Sequence, residues 1–475
     1  MLTGVWNTPI YNAIKEYLKT NPAVFHMPGH KLGRGMPAEF LKSLESLDLT
    51  EIPGTDNLHY PSGPIKEAEE LASKAFGSER TFFLVNGSTC GIHAMIMTVC
   101  KPGGKLIVGR DCHRSVIGGL MLAGARPVYI KPEFNSDFGI STVILPSEIE
   151  KALKMNPDAE GVLITRPSYY GVCSDIRRIA EVVHSYGKVL IVDEAHGAHL
   201  KFSSSLPVSA MEAGADICVQ SAHKTLAAFT QGAYLHVKSA AVDIDRLKFN
   251  LSLLQTSSPS YIIMASLDIA REIMQREGME RLEKLLDTIE RFKSNFGKGS
   301  LPFGFLDHVD GGELDKTRLV INVSRFGLTG FETDKILREK YSVQVEMSDL
   351  GNIVCIATAA NSPEDFDRLY SALKGISDRY GGIDPLKLPQ PASFELPEQR
   401  IDPAEAMRCR GVKMRLDAAT GRISRGVIVP YPPGIPAVCP GEIITGETVE
   451  YIYNIISSGG VVNGVGEGLE IDVVE

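Results

Sequence analysis

One lysine stands out because of the residues around it. Lys224 lies in the run SAHKT at 221–225, directly after a short apolar stretch at 216–220. If that stretch is a buried strand, the lysine lies in a cleft at its end, where desolvation and nearby cations lower the pKa of an amine and favour imine formation. A single lysine is more often a solvated surface charge. A serine and a histidine placed just before it make that ordinary explanation less attractive.

Small polar residues follow another apolar stretch, in the run NGST at 86–89. At the start of a helix, such residues leave backbone N–H groups open to an anion such as phosphate, together with the hydroxyls of Ser88 and Thr89. Alone this pattern is weak evidence, because serine and threonine are also ordinary helix caps.

Two further side chains end or follow apolar stretches. Asp193 ends the run VLIVD at 189–193, where a carboxylate can keep the ring nitrogen of a pyridine cofactor protonated. His113 lies in the turn GRDCH at 109–113, and its flat imidazole could stack on such a ring. A lone aspartate is more often a cap, and a lone loop histidine is more often only hydrogen-bonded.

Together the four features describe a phosphate cup, a partner for a ring nitrogen, a stacking ring and a nucleophilic amine. Each feature has an ordinary explanation by itself. Those explanations do not account for the occurrence of all four features at strand ends of one sheet. The combination predicts a site for pyridoxal 5'-phosphate, carried by Lys224 as a Schiff base.

A mainly parallel sheet is needed to bring these residues together. Between residues 81 and 237, short apolar runs alternate with helical patterns, which is typical of a parallel sheet covered by helices on both faces. Ligands gather at the carboxyl ends of the strands in such sheets. The predicted strands are at 81–85, 105–109, 126–130, 161–165, 189–193, 216–220 and 232–237, with helices at 92–100 and 175–186 among those between them.

Four regions are predicted along the chain. A proline- and glycine-punctuated N-terminal segment at 1–60 contains the run HMPGHK and precedes a cofactor-binding large domain at 61–300. A small α/β domain at 301–385 and a C-terminal domain at 386–475 follow, separated by a proline-rich linker at 384–391. The small domain is predicted to contain strands near 319–323 and 343–347 and a helix near 363–373.

Composition narrows the class of protein. The 475 residues, 44% of them apolar, can build two or three cores, and a net charge of −9 lacks the basic footprint of a nucleic-acid-binding protein. No apolar run approaches the roughly 18 residues of a membrane span. Eight scattered cysteines without a CxxC pair, and no visible secretion signal, predict a cytoplasmic protein with reduced thiols. We therefore expect neither a nucleic-acid nor a membrane partner.

The order of the motifs resembles a known family. NGST, CHRS, DEAHGAH and SAHKT, together with HMPGHK, TDNLHYPSG, TSSPSY and YPPGIPAVCPGE, look like the ornithine/lysine/arginine decarboxylases, which are fold-type I pyridoxal-phosphate enzymes. The resemblance spans essentially the whole chain and is strongest to short members without an N-terminal wing domain. It implies an aspartate-aminotransferase-like α/β large domain with a mainly parallel sheet, a small α/β domain and a C-terminal domain. It also implies a homodimer or a dimer of dimers with shared active sites.

The resemblance implies a role for each motif residue. Lys224 forms the internal aldimine, Asp193 pairs with the pyridine nitrogen and His113 lies on the ring face. The remaining implied contacts are Ser88, Thr89 and Ser221 around the phosphate, His223 beside the imine, Thr256 or Ser257 at the phosphate of the partner subunit, and Glu442 at the substrate end.

A metal site is the competing interpretation of DEAHGAH at 193–199. The run offers two histidines three apart beside two carboxylates, and His26 and His30 lie four apart. However, the pattern is not HExxH, and Gly197 disfavours a helix at this point. We expect no metal and expect His196 to contact the cofactor or the substrate carboxylate.

The implied reaction is α-decarboxylation of a basic amino acid. Arginine is favoured, giving agmatine and CO2 for polyamine biosynthesis, with lysine to cadaverine and ornithine to putrescine left open. The distal cation of the substrate needs an acidic partner, for which Glu442, Asp56 and Asp349 are candidates that no spacing rule ranks. Either Lys224 or His223 could return the proton to Cα.

Two alternatives remain at this stage. An aminotransferase would grip the substrate α-carboxylate with a bidentate arginine, and Arg318 or Arg325 could serve, although no motif supports them. A relative that binds the cofactor without turnover is the other alternative. The presence of Lys224, Asp193 and the phosphate-site residues argues against it.

Overall fold

The computed structural model describes residues 7–297, 303–381, 384–386, 396–431 and 434–475. The predicted domain boundary at 300/301, residues 387–391 of the predicted linker, and Pro432 and Pro433 of the YPPGIPAVCPGE motif lie outside these residues. The helices are α1 (Pro9–Lys19), α2 (Ala38–Lys42), α3 (Pro64–Phe76), α4 (Gly87–Val99), α5 (Arg114–Ala123), α6 (Pro146–Met155), α7 (Ile176–Ser185), α8 (Ala210–Ala213), α9 (Ala222–Thr225), α10 (Ile244–Leu254), α11 (Tyr261–Ser294), α12 (Gly330–Tyr341), α13 (Pro363–Tyr380), α14 (Pro403–Arg408) and α15 (Gly446–Ser457).

The strands pair into one large sheet and several smaller ones. They are β1 (Ala23–Phe25), β2 (Arg80–Leu84), β3 (Lys105–Gly109), β4 (Arg126–Ile130), β5 (Phe134–Asn135), β6 (Ile140–Ser141), β7 (Ala159–Thr165), β8 (Val172–Ser174), β9 (Val189–Asp193), β10 (Ile217–Gln220), β11 (Ala233–Val237), β12 (Gly304–Phe305), β13 (Gly312–Leu314), β14 (Arg318–Asn322), β15 (Val343–Val345), β16 (Met347–Ser348), β17 (Asn352–Ile356), β18 (Gly411–Arg415), β19 (Val429–Tyr431), β20 (Val461–Asn463) and β21 (Glu470–Val474).

The large sheet has the order β2-β11-β10-β9-β7-β3-β4. Its strands from β10 to β4 run parallel, while β11 is antiparallel to both of its neighbours. The sheet is thus mixed and mostly parallel, which confirms the predicted fold class. Three predicted strands have the observed bounds, three others differ by one or two residues at one end, and the strand predicted at 81–85 is shifted by one residue to 80–84.

Helices cover both faces of this sheet. Successive side chains of a strand therefore pack in two different apolar cores, one on each face. In β3, Val108 packs in the core beneath α4 and α5, whereas Ile107 packs in the core beneath α6 and α7. In β9, Ile191 packs in the core beneath α4 and α5, and Val192 packs in the core beneath α6 and α7. Strands buried on both faces are apolar throughout rather than alternating, which is the pattern that the sequence shows.

The small α/β domain is built on the sheet β12-β14-β17-β16, with α12 and α13 packed beside it. The single strand predicted near 343–347 is wrong, because the run divides at Glu346. Val343–Val345 pairs in parallel with Ala23–Phe25, and Met347–Ser348 pairs antiparallel with β17. Apolar alternation continues through Glu346, so the sequence pattern does not reveal a change of sheet.

Residues from 396 onward have an apolar core of their own, which includes Leu416, Ile428, Ile452 and Ile471. The bounds proposed from sequence for the four regions stay predictions. The candidate functional residues lie at the carboxyl ends of the strands of the large sheet. The turns after β2, β3, β9 and β10 meet there, and Asp193 pairs in register with Val219 of the neighbouring strand.

Candidate active site

The lysine singled out from the sequence follows β10. Lys224 lies in the short helix α9, with its Nζ 2.9 Å from Nε2 of His196. Burial lowers the pKa of Lys224, although the charges of Asp193 and Glu346 act in the opposite direction. A lowered pKa leaves more of the amine neutral, and the neutral amine is the nucleophilic form.

His196 lies between Lys224 and a buried arginine. Its Nδ1 is 3.2 Å from Nη2 of Arg318, and its ring centroid is 4.6 Å from that of Tyr169. Because a guanidinium only donates, Nδ1 must accept, and the ring proton therefore sits on Nε2. This N–H can donate to Lys224 only if Nζ has the lone pair of a neutral amine. Burial, followed by the charges of Lys224 and Arg318, holds the pKa of His196 well below its usual range.

Arg318 brings an incompletely paired cation to the site. The residue begins β14 and is 4% exposed. Its Nε and Nη1 are buried without a hydrogen-bond partner among the described residues. A buried donor without a hydrogen-bond partner carries an uncompensated free energy of desolvation. An anionic group bound next to Arg318 would supply the missing partners and remove that cost.

Asp193 ends β9 beside this lysine and is almost fully buried. Its Oδ1 accepts a hydrogen bond of 3.1 Å from the backbone N–H of Ala195. Burial raises the pKa of Asp193, while the charge of Lys224 lowers it. A buried carboxylate with few donors is well suited to receive a cationic N–H from a bound ring.

The predicted phosphate cup is partly assembled by the chain itself. Ser221 donates from Oγ to Oγ of Ser88 across 2.7 Å, which joins the turn after β10 to the first turn of α4. Thr89 is exposed in the same turn. The Asn86 side chain does not cap α4, and the backbone N–H of Gly87 donates to the carbonyl oxygen of Gln231 across 2.9 Å. The next N–H groups of the first turn, those of Ser88 and Thr89, are therefore the ones left to meet an anion.

Two more histidines of the site are neutral. His113 caps α5, its Nδ1 accepting from the backbone N–H of Ser115 over 3.2 Å. Burial, then the charges of Lys224 and Arg114, lowers the pKa of His113 to about 4. In His223, Nδ1 lies 3.0 Å from the carbonyl oxygen of Gly232, so Nδ1 carries the proton. Burial likewise lowers the pKa of His223 to about 4.

Thr256 and Ser257 lie exposed on the loop after α10. The backbone N–H of Thr256 donates to Oδ1 of Asn86 across 3.4 Å, and its carbonyl accepts from Nε2 of His59 across 2.8 Å. Both hydroxyl side chains therefore lie at the surface, close to the start of α4. Their contact with a partner subunit stays a prediction.

The three acidic side chains suggested for the distal substrate group all have partners within the chain. Asp56 accepts from five backbone N–H groups around the start of α3, those of Asn57, Ser62, Gly63, Ile65 and Lys66. Asp349 accepts from Tyr170 and Asn352. Glu442 is fully buried in an ion pair with Arg110. Their substrate roles stay predictions that these contacts do not favour.

Sequence reasoning did not assign Glu346 or Tyr169 to the site. Tyr169 donates its hydroxyl to Oε1 of Glu346 across 2.5 Å, and the backbone N–H of Met27 donates to Oε2 across 2.8 Å. The HMPGHK run, singled out for its histidines, therefore meets the small domain close to Lys224. Nothing in the sequence pattern pointed to Glu346, because the apolar alternation of residues 343–347 runs through it.

The same run buries a lysine completely. Nζ of Lys31 donates to the carbonyl oxygens of His26 and Ile356, at 2.7 and 2.8 Å. Burial lowers the pKa of Lys31 to about 7. His199, the other histidine of DEAHGAH, pairs with Asp315 rather than facing Lys224.

The described residues hold neither a cluster of metal ligands nor a membrane-spanning helix. No three His, Cys, Asp or Glu side chains within them are arranged to hold a metal ion. Nor does any helix in these parts of the chain have the length and apolar character needed to cross a membrane.

The open polar groups at this sheet edge fit pyridoxal phosphate. The cofactor offers an aldehyde, a basic ring nitrogen and a phosphate, and the site offers the Lys224 amine, the Asp193 carboxylate and the start of α4. Oγ1 of Thr225, next to the lysine, is also buried without a partner among the described residues.

Comparisons with known proteins agree with this chemistry. Residues 8–311 match the model "Orn/Lys/Arg decarboxylase, major domain", and residues 387–461 match the C-terminal domain of the same family. An arginine decarboxylase of Bacillus subtilis is 39% identical over 466 residues, covering 96% of this chain and 95% of the relative. An arginine decarboxylase of Bacillus anthracis is 36% identical over 475 residues, covering 97% and 95%. The constitutive lysine decarboxylase of Escherichia coli superposes with a TM-score of 0.77 at 21% identity, over 98% of this chain and 82% of that one.

Proposed function

Because the chain belongs to the Orn/Lys/Arg decarboxylase family, whose members depend on pyridoxal phosphate, we propose that it removes the α-carboxylate of a basic amino acid. Arginine is the proposed substrate, with agmatine and CO2 as products. Support for arginine comes from the names of the Bacillus relatives. The single observation that carries the proposal is the buried Lys224 amine, 2.9 Å from Nε2 of His196 and one strand from the buried Asp193.

Each part of the cofactor has a proposed holder in the chain. Lys224 attaches the aldehyde carbon, Asp193 pairs with the ring nitrogen and His113 covers the ring face. Ser88, Thr89 and Ser221 hold the phosphate with the N–H groups of α4. When bound, pyridoxal phosphate supplies an electron sink for the electrons of a broken Cα bond.

Proton return to Cα is better assigned to Lys224 than to His223. The proton on Nδ1 of His223 is held by the carbonyl of Gly232, and its Nε2 carries none in the neutral ring. With a pKa of about 4, only about one such ring in a thousand is protonated at pH 7. The Nζ of Lys224 carries protons in both of its states, so it is the proposed donor.

Glu346 is the proposed partner of the distal cation of the substrate. Its charge acts on both Lys224 and His223, and Tyr169 and Met27 hold its carboxylate in place. Unlike the enclosed Glu442, Glu346 is only partly buried and lies close to Lys224, and each of its oxygens accepts only one hydrogen bond from the described part of the chain. A second lone pair on each oxygen is left for the two parallel N–H groups of a guanidinium.

Transamination is the second candidate, because of one observation. The unpaired Nε and Nη1 of Arg318 could grip the substrate α-carboxylate, and a firm grip raises the cost of losing CO2. Family membership favours decarboxylation. Incubation of the holoenzyme with arginine, lysine and ornithine separates the two, since one reaction gives CO2 and an amine and the other gives a 2-oxo acid. A larger kcat/KM for lysine or ornithine would refute arginine as the preferred substrate.

A homodimer, or a dimer of dimers, is the proposed assembly. Phe249 and Leu253 of α10 are 65% and 61% exposed and adjoin the loop that carries Thr256 and Ser257. An exposed apolar face beside phosphate-site hydroxyls supports a second copy bound there, with those hydroxyls reaching the phosphate of the other subunit. Mixing Lys224→Ala with Thr256→Ala/Ser257→Ala subunits tests this: a shared site restores activity in the hybrid, whereas separate sites do not. The free thiols, seven of eight buried, support the cytoplasm as location.

A further inference from the structure

The C-terminal domain reaches the cofactor site through one buried ion pair. Arg110 lies three residues before His113, in the turn after β3, and is 8% exposed, while Glu442 is 0% exposed. Nε and Nη2 of Arg110 donate to the two carboxylate oxygens of Glu442 across 3.2 and 2.9 Å. The geometry is bidentate, which fixes orientation as well as distance.

Neighbouring backbone groups complete the pair. Nη1 of Arg110 donates to the carbonyl oxygen of Pro436 across 2.6 Å, and the backbone N–H of Cys439 donates to Oε2 of Glu442 across 2.7 Å. Both oxygens of Glu442 are thus occupied from within the chain. A substrate cation would have to displace Arg110 to reach them.

The same C-terminal segment, residues 434–442, also touches His113 itself. The backbone N–H of Arg114 donates to the carbonyl oxygen of Gly434 across 3.1 Å. Gly434 has a φ of +85°, and a Cβ there would lie 3.1 Å from Cδ2 and 3.2 Å from Nε2 of His113. The segment therefore contacts the His113 turn on both sides of the histidine.

Stability alone is a poor explanation for such a pair. A fully desolvated ion pair often contributes no more than an apolar pair of the same volume, because desolvation offsets the attraction. Its advantage is directional: it permits one arrangement of the groups that it joins.

We propose that Arg110 and Glu442 are positioning residues, which lock the C-terminal domain onto the turn that presents His113 to the cofactor ring. The C-terminal domain is then part of the cofactor site, and Glu442 acts through Arg110 and not on the substrate. This inference rests on the proposed function only in giving His113 the ring face.

The test is a cofactor-binding cycle on the full-length apoprotein. Pyridoxal phosphate is titrated into the native protein, Glu442→Gln, His113→Ala and the combined variant, with absorbance giving Kd and circular dichroism of the bound cofactor reporting ring orientation. Glu442→Gln should weaken binding by about two- to tenfold, the range that an aromatic stacking contact contributes. The combined variant should bind no more weakly than His113→Ala alone.

Matched variants separate positioning from general damage. Asp472→Asn removes the partner of Arg425 in the same domain and should leave Kd and dichroism unchanged. If Glu442→Gln does not fold, Arg110→Met/Glu442→Met avoids a lone buried charge and should fold yet show the weaker binding and altered dichroism. The proposal would be overturned if Glu442→Gln weakened cofactor binding as much in the His113→Ala background as in the native protein. An unchanged Kd for Glu442→Gln alone would overturn it as well. CO2 release from arginine by the native enzyme is measured separately, so failure of the proposed function is distinguishable.

Discussion

Replacing Arg318 by methionine should raise the pKa of Lys224. The contacts of 2.9 and 3.2 Å on either side of His196, with the width of the ring between them, put the guanidinium and the amine about 8 Å apart at most. At an effective dielectric constant of about 20, two unit charges at that separation repel by about 2 kcal/mol, which corresponds to about 1.5 pKa units. Loss of the donor to Nδ1 also frees Nε2 of His196 to accept a hydrogen bond from the Lys224 ammonium. This second effect also raises the pKa of Lys224.

Cofactor capture by the apoprotein measures this shift. The neutral amine attacks the aldehyde, so the capture rate rises with pH through the pKa of Lys224. We expect the midpoint of that rise to move upward by about 1 to 1.5 pH units in Arg318→Met. Arg325→Met, which removes an exposed arginine of the same domain, is the control and should leave the midpoint in place. A midpoint in Arg318→Met that stays, or moves downward, refutes the proton arrangement derived for His196.

Three further outcomes are expected. Asp193→Asn should keep cofactor binding but lower kcat at least a hundredfold, since an amide cannot stabilise a protonated ring nitrogen; a kcat close to that of the native enzyme would contradict that role. Burial lowers the pKa of Lys31 to about 7 in the folded protein, against 10.5 for a free lysine. Between these pH values only the unfolded chain binds the proton, so the free energy of unfolding rises with pH, by up to about 1.4 kcal/mol per pH unit. Urea unfolding of Lys31→Met between pH 7 and 9.5 should lack this contribution, and an unchanged slope would count against it. Gly29→Ala should weaken cofactor binding, because its Cβ would lie 2.4 Å from the carbonyl oxygen of Leu226 beside the lysine helix, whereas Gly446→Ala, with open space around it, should not.

Features carried by local pattern were predictable from the sequence. The bounds of β3, β4 and β9 follow from apolar runs that end at turn residues. The fold class follows from the alternation of such runs with helices. Lys224 and Asp193 come together because Asp193 ends β9 and Lys224 follows the neighbouring parallel strand β10, and the carboxyl ends of parallel strands share one edge of the sheet.

Features that depend on contacts between distant segments were not predictable. Glu442 looked like a free acid near the substrate, because its partner Arg110 precedes it by 332 positions in the chain. Arg318 carried no motif, and only burial distinguishes it from Arg325. Glu346 was hidden in an apolar alternation that spans two different sheets.

The parallel pairing of Ala23–Phe25 with Val343–Val345 has a consequence for biosynthesis. Met27, which follows that strand, and Glu346 lie 319 positions apart, so the HMPGHK run cannot dock until the ribosome has made most of the chain. Until then Gly29 does not support the helix that holds Lys224, and contacts of such long range form late in folding. A nascent chain that has completed the large sheet should therefore bind pyridoxal phosphate poorly, and cofactor capture should begin only after residues 343–346 have left the ribosome.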